Sequence, residues 1–434
     1  GDLCVACDAT MKCGIFYRDW NTPGSHYWHP FTNMADSGSY TAAHHYQQMI
    51  NEDPSRYAHT RYYSAVHTSY ETCVNRNLVA PEAAKAFHVD AAKVAAYLEK
   101  FLTSVRVVES SRIDPQIRDD ELVGIALDDG EALSADIYID CTGFARALVS
   151  SISRPTFLPY TANVNRAVAA NVPYVDPQRE TYPYTGAHAH ESGWTWCIPL
   201  QSRIGSGYVY NRRFCHKEQA EANFRAYWGE SRMHDIEVQH LAFDIGNLRN
   251  PWAKNVVTIG LSAGFVEPLE ATGLTWSIMG AYVLSQTISP RYYDEDTSVR
   301  YNASMLGFIK DIVDFVDAHY KLSARRDTEF WRYQTSRKFP DRLDFRLGLY
   351  AREMPTAANR VRAFTLAFNE VSWLDILNGY EFGYEKQNVH QSHLDWGKRA
   401  LRSMASQRKP GISPLDYVPR QDQAHAVVGL GSRP

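Results

Sequence analysis

The feature that most constrains this chain is a short apolar strand pattern that runs through a Ser/Gly loop into an acid-bearing turn and then a helix. Val256 to Gly260 reads as the strand, and Phe265-Val-Glu267-Pro-Leu-Glu270-Ala-Thr272-Gly273-Leu274 as the turn. Leu274, Ile278 and Tyr282 then recur at helical spacing. The first free amides of that helix belong to Thr272 and Gly273. A helix N-terminus presents unpaired N–H groups and the positive end of a dipole, so the turn is an anion site with a carboxylic acid beside it. The simpler reading is a capped helix with Glu267 and Glu270 in its first turn, where acids are favoured on electrostatic grounds. Spacing alone favours this simpler reading.

With 434 residues, 44% of them hydrophobic, the chain has room for two or three modules around real cores. Lys plus Arg 45 against Asp plus Glu 49 gives a net charge of −4, so charge argues against nucleic acid or an anionic membrane as a partner. No apolar run approaches the roughly 18 residues of a membrane helix, and the chain reads as soluble. Seven Cys, an odd number scattered from Cys4 to Cys215, make no disulfide framework and favour a reducing cytoplasm. Cys4-x-x-Cys7 with Cys13 lacks a second ligand pair at zinc-finger spacing, so free thiols and no metal are expected. The chain opens on Gly1 with no signal-peptide pattern before Asp2, and a missing start is the expectation.

Along the chain, Asp90 is placed to cap an Ala-rich helix with Val94, Leu98 and Phe101 on one face. Strand patterns follow at Val105 to Val108 and Leu122 to Leu127. The Asp129-Gly130 turn then leads to Leu133 through Asp140, a β-meander feeding a buried strand. That strand ends in Cys141-Thr142-Gly143, either a ligand-bearing turn of an α/β fold or a plain exit loop. Residues 155 to 260 are rich in aromatic and β-forming types and predict a second sheet. Beyond 300 the pattern turns helical: Met305, Phe308, Ile309, Ile312 and Val316 form a stripe ended by His319-Tyr320. Further helices are expected at 341–353, 357–369 and 392–406, with an extended tail from Pro410.

Several side chains are candidates for chemistry. Lys12 lies in a β-like context among small and apolar residues, where a desolvated amine can hold an oxidant or act as a nucleophile; a solvent-facing strand lysine is the commoner case. The cluster His26-Tyr-Trp-His29-Pro-Phe31 can stack on a flat ring or fill a core corner. Trp194 and Trp196 alternate on a strand and so share one face, as core or as a cavity wall. A strand followed by G-x-G-x-x-G and a helix is absent: Gly205-Ser-Gly207 sits within strands, and Gly429-Leu-Gly431 lies at the chain end.

These segments together resemble the flavin-dependent tryptophan halogenase family. The resemblance rests on Gly193-Trp-Thr-Trp-Cys-Ile-Pro199, Phe265 to Leu274, Lys12-Cys-Gly-Ile15, His29-Pro-Phe31, Phe87-His-Val-Asp90, Asp140-Cys-Thr-Gly-Phe144, Gly207-Tyr-Val-Tyr210 and Arg325 to Trp331, and runs from residue 2 to about 380. It implies an α/β (α+β) fold: a monooxygenase-like flavin module with a second β-sheet over 1–290, a helical substrate module over 291–410, and a tail over 411–434. It implies FAD, used as FADH2 from a separate flavin reductase, with oxygen and chloride or bromide. The hypohalous acid so formed halogenates an electron-rich aromatic carbon, a step typical of secondary-metabolite biosynthesis.

Residue by residue, the resemblance makes Lys12 the lysine that delivers the halogen. Glu270 becomes the acid that positions it, touches the substrate and assists deprotonation of the ring, and the Thr272 and Gly273 amides become the halide site. Leu261, Leu274 and Val172 would line the flavin, His29 and Phe31 would stack the substrate, and Trp194 with Trp196 would part substrate from flavin. A cytoplasmic location follows, and a homodimer is left open. Two features depart from the family. The glycine-rich flavin loop that precedes the lysine is not in this chain, which implies an N-terminal truncation with poor FAD binding. Ala363 to Val371 lacks the paired tyrosines, glutamate and Phe-Trp that clasp free tryptophan, so indole, phenol or a carrier-bound arene is as well matched; Ala271 stands where Ser is common. A flavin monooxygenase of the same fold, or an inactive aromatic-binding remnant, are the competing readings.

Overall fold

The computed structural model describes residues 2–31, 36–37, 40–41, 86–161, 163–288, 295–352 and 367–383. Its centre is a seven-stranded sheet in the order Gln239–Ala242, Arg166–Val172, Ile204–Tyr210, Gly193–Pro199, Thr185–Ala189, Gly14–Arg18, His26–Pro30. Every neighbouring pair is antiparallel except Thr185–Ala189 with Gly14–Arg18, which is parallel and brings the N-terminal hairpin onto the sheet. Trp194 pairs with Val209 and Trp196 with Gly207. A Cβ on Gly207 would lie 2.2 Å from the Trp196 ring, so glycine there is what lets the indole lie down on the next strand.

Trp194 faces the main core with Trp20, Val209, Trp331 and the helices; the opposite sheet face packs Val168, Val172, Phe224 and Met233. A smaller sheet sets Tyr138–Asp140 parallel to Val256–Thr258, which pairs in turn with Trp252–Ala253. Asp140 is fully buried and spends its carboxylate on the chain itself: Oδ1 accepts from Thr142 N and Oγ1 and from Ser262 Oγ, Oδ2 from the amides of Leu148 and Val149. The Cys141-Thr-Gly143 turn is therefore a structural knot joining the two strand exits.

The helices form the other layer. Glu295–Leu322 runs 28 residues and places Asp311, Asp314 and Asp317 inside, matched by Arg346, Arg342 and Arg337 from the segments behind it. Unpairing one such buried carboxylate costs on the order of 3–5 kcal/mol, so these pairs fix how the helical layer docks. Among the described residues no helix is long and apolar enough to cross a membrane.

Several expectations need correction. The helix after the acid turn spans Gly273–Thr287 but buries Trp276, Gly280 and Leu284, whereas Leu274, Ile278 and Tyr282 face out; the inner stripe is the one that meets the residues packed beneath. Asp90 caps Ala91–Glu99 as expected, yet Leu98 and Phe101 are exposed. Val105 to Val108 is irregular and exposed, and the first meander strand is Ile113–Arg118. The stripe helix continues past His319-Tyr320 to Leu322. The helix expected at 341–353 is seen as Asp341–Arg352. Those at 392–406 and most of 357–369, with the tail from Pro410, lie outside the described residues.

Candidate active site

The turn expected to cap a helix is a separate 3-10 turn, Pro268–Glu270, and both its acids point inward. Pro268 sets its first φ, and Ala271 closes it in the left-handed region at φ 54°, a conformation that costs an L-residue roughly 1–2 kcal/mol and turns the chain sharply into the next helix. Thr272 is the N-cap and Gly273 the first helical residue, with no carbonyl partner for either amide among the described residues. A cavity of about 20 Å³ opens there, lined by Leu261, Gly264, Phe265, Val266, Thr272, Gly273, Trp276, Ile309 and Ile312. That volume has room for one small ion or water, and the Thr272 and Gly273 backbone at the helix start lies on its wall.

Glu270 is held from three sides. His29 Nδ1 lies 3.0 Å from Oε2, His319 Nε2 lies 3.0 Å from Oε1, and the Tyr17 hydroxyl donates to Oε1. Burial would raise its pKa; the charge of His29 and the hydrogen bonds to His29 and His319 outweigh burial and hold the carboxyl well below its usual range. Behind it, Tyr17 stacks on Tyr27 at 4.6 Å, and Tyr27 bonds both His319 Nδ1 at 2.6 Å and Tyr380 at 3.0 Å. The carboxylate is thereby fixed in place and in charge.

Lys12 ends the strand Thr10–Lys12, paired antiparallel with Ala86–His88. His88 ties this pair down, with Nδ1 3.0 Å from Thr10 Oγ1 and Nε2 3.0 Å from Thr185 Oγ1. The solvent-facing alternative for Lys12 does not hold: the residue is buried, its Nζ lies 5.3 Å over the Phe31 ring, and burial lowers its pKa to about 8 against the opposing pull of Glu270. An amine in that range is partly free base near neutral pH, as a lysine nucleophile requires.

The other candidate residues are placed as follows. His29 is buried beside Phe31, Phe315 and Phe368, and Phe368 stacks on Phe315 at 3.7 Å. His29 is thus both an aromatic wall and a hydrogen-bond partner of Glu270, the second role being absent from the sequence-based reading. Trp194 and Trp196 share a face and touch edge to face at 6.4 Å, but only Trp196 is half-exposed, on a cavity of about 430 Å³ that also includes Gly205, Ser206 and Asn171. Leu261 lines the small cavity and is 41% exposed, while Leu274, 52% exposed, faces out from the first turn of the helix that follows. Val172 does not join them: it is fully buried under the opposite sheet face, because strand alternation turns it away from the cleft. Among the described residues Cys4, Cys7 and Cys13 form no disulfide, and no metal-holding cluster exists.

Residues 2–393 match the family described as tryptophan halogenase. The chain belongs to the tryptophan halogenase family. It is 30% identical over 375 residues to the tryptophan 6-halogenase ThaL of Streptomyces albogriseolus, covering 80% of this chain and 70% of that protein. The crystal structure of the tryptophan 6-halogenase SttH of Streptomyces toxytricini superposes with a TM-score of 0.84 at 25% identity, covering 97% of this chain and 86% of that one. BrvH, a flavin-dependent halogenase from Brevundimonas sp. BAL3, superposes at 0.82 with 25% identity, covering 96% and 87%. The protein is accordingly a flavin-dependent halogenase with the α/β fold of that family. Sequence reasoning missed Tyr17, Tyr27, His319 and Tyr380 of this candidate site; His319 was visible only as the polar end of an apolar helical stripe.

Proposed function

We propose that this halogenase transfers an electrophilic chlorine or bromine from Lys12 to an electron-rich arene, with Glu270 taking up the ring proton. The observation that carries the reading is that Lys12 and Glu270 are both buried beside the same pair of rings: Phe31 lies under the amine, and His29, next to Phe31, bonds the carboxylate. FAD suits the exposed apolar side chains of Leu261 and Leu274, on either side of the Thr272 and Gly273 amides in sequence. Reduced flavin with oxygen supplies the two-electron oxidant that converts halide to hypohalous acid. The Thr272 and Gly273 amides hold the halide through charge-assisted hydrogen bonds. The Lys12 amine receives the halogen and presents it to the ring, where a charged Glu270 stabilises the cationic ring and then accepts its proton.

Trp196 bars the acceptor from the flavin side, and Trp194 braces it from within the core. Acceptor walls are aromatic, from His29, Phe31, Phe315 and Phe368, and suit a flat ring such as indole, a phenol or a tryptophan-like arene. A flavin reductase supplies FADH2. The test combines the protein with FAD, a flavin reductase, NADH, bromide and indole. Bromoindole is the expected product; hydroxyindole without any halogenated product would instead make the protein a hydroxylase of the same fold.

A further inference from the structure

Glu267 is the acid that the chemistry above leaves unused. It precedes Glu270 by three residues, is completely buried, and makes no cap bond to its own turn. The Tyr320 hydroxyl donates to its Oε1 at 2.6 Å, while Oε2 has no hydrogen bond of good geometry, nor does the Trp194 Nε1. Asn163 and Trp194 are its other polar neighbours, with Tyr320 and Asp317 facing it from helix Glu295–Leu322. Asp317 is paired with Arg337 at 2.7 Å, and Arg337 also bonds Asn163 at 2.6 Å, so the guanidinium in this cluster is already committed. A carboxyl buried with no cation of its own holds its proton to higher pH, and burial pushes Glu267 up to about 7 against the hydrogen bond from Tyr320.

The two acids of the turn are matched by two consecutive helix residues, His319 to Glu270 and Tyr320 to Glu267. Tyr320 also packs edge-on against Trp20 at 5.3 Å, and Trp20 against Trp194 at 6.1 Å. Resting on the function proposed above, we infer that Glu267 is a positioning residue for halogenation: it ties Tyr320 and the Trp194 brace to the turn that carries Glu270 and the halide amides. Loss of the tie lets the Trp194–Trp196 wall drift from the halide turn, so oxidant escapes as peroxide or free hypohalous acid while flavin is still consumed.

The test measures halogenated product per FADH2 consumed, together with melting temperature of the chain without flavin. Glu267→Gln, an isostere of the neutral acid, is expected to keep coupling within about twofold, whereas Glu267→Leu lowers it about tenfold with flavin reoxidation unchanged, the scale of a small misplacement near a reacting centre. Tyr320→Phe removes the donor with little volume change and is expected to reproduce the Leu variant, so the test stands even where that variant fails to fold. In melting, a folded-state pKa of about 7 against an ordinary 4.5 costs wild type stability progressively as pH rises between those values. The Gln variant should therefore match wild type near pH 4.5 and melt higher above pH 7. Full coupling in both Glu267→Leu and Tyr320→Phe, a Gln variant as uncoupled as the Leu one, or a pH-independent melting difference would each overturn the assignment. Absence of halogenated product from wild type itself would instead count against the function proposed above.

Discussion

Glu267 and Glu270 share a turn and a depth of burial, yet their pKa values are pushed in opposite directions. Burial raises both, but Glu270 meets His29, His319 and the Tyr17 hydroxyl, and Glu267 meets the neutral groups of Tyr320, Asn163 and Trp194 beside Asp317. The comparison teaches that position in a motif does not assign a carboxylate its role. Three residues along a 3-10 turn swing the second acid to a different wall of the core, and what lines that wall sets the charge. A base for a ring proton has to be ionised before the ring arrives, so Glu270 fits that work and Glu267 fits a tie.

The comparison can be broken in three ways, in falling order of effect. Glu270→Gln removes the ionised base and should cut halogenation by roughly 10²–10⁴, the range of general acid–base catalysis, in a product assay at saturating bromide. A loss under about tenfold would place the ring proton elsewhere. Next in size, Trp194→Ala should destabilise the fold by about 3–5 kcal/mol in denaturant melts, as expected for a wholly buried indole, and the half-exposed Trp196→Ala by less than roughly half of that. Equal costs would mean that Trp194 does not brace the wall from the core. The smallest effect is on acid stability. Glu270 has a depressed pKa, so its contribution is present above the ordinary value of 4.5 and lost as pH falls below it. Wild type should therefore shed more stability than Glu270→Gln between about pH 5 and about pH 3, and parallel melting curves would contradict the charged state assigned to Glu270.

Much of the site was legible in the sequence, because its halves are local. The strand, loop and helix from Val256 to Thr287, the alternation of Trp194 and Trp196, and the strand context of Lys12 are short-range patterns that the fold keeps. The polar cage around Glu270 was not legible, since Tyr17 is 253 residues away in sequence and His29 is 241. Such contacts depend on the parallel pairing that lays Gly14–Arg18 beside Thr185–Ala189, and no local period encodes it. The helix after the turn was legible from the spacing of Leu274, Ile278 and Tyr282, but its buried face was not, because that stripe is as apolar as the Trp276, Gly280 and Leu284 stripe that faces the core. Val172 failed for a related reason: its neighbour Pro173 marks a strand end, but only pairing shows which sheet face it takes.

The central claim is that Lys12 carries the halogen, and the most direct measurement follows flavin reoxidation and halogenated product together in Lys12→Ala. The account predicts reoxidation within about twofold of wild type and product reduced at least about a thousandfold, because the oxidant still forms and only its delivery is lost. Halogenated product at more than about a tenth of the wild-type level, with the variant folded, would contradict it.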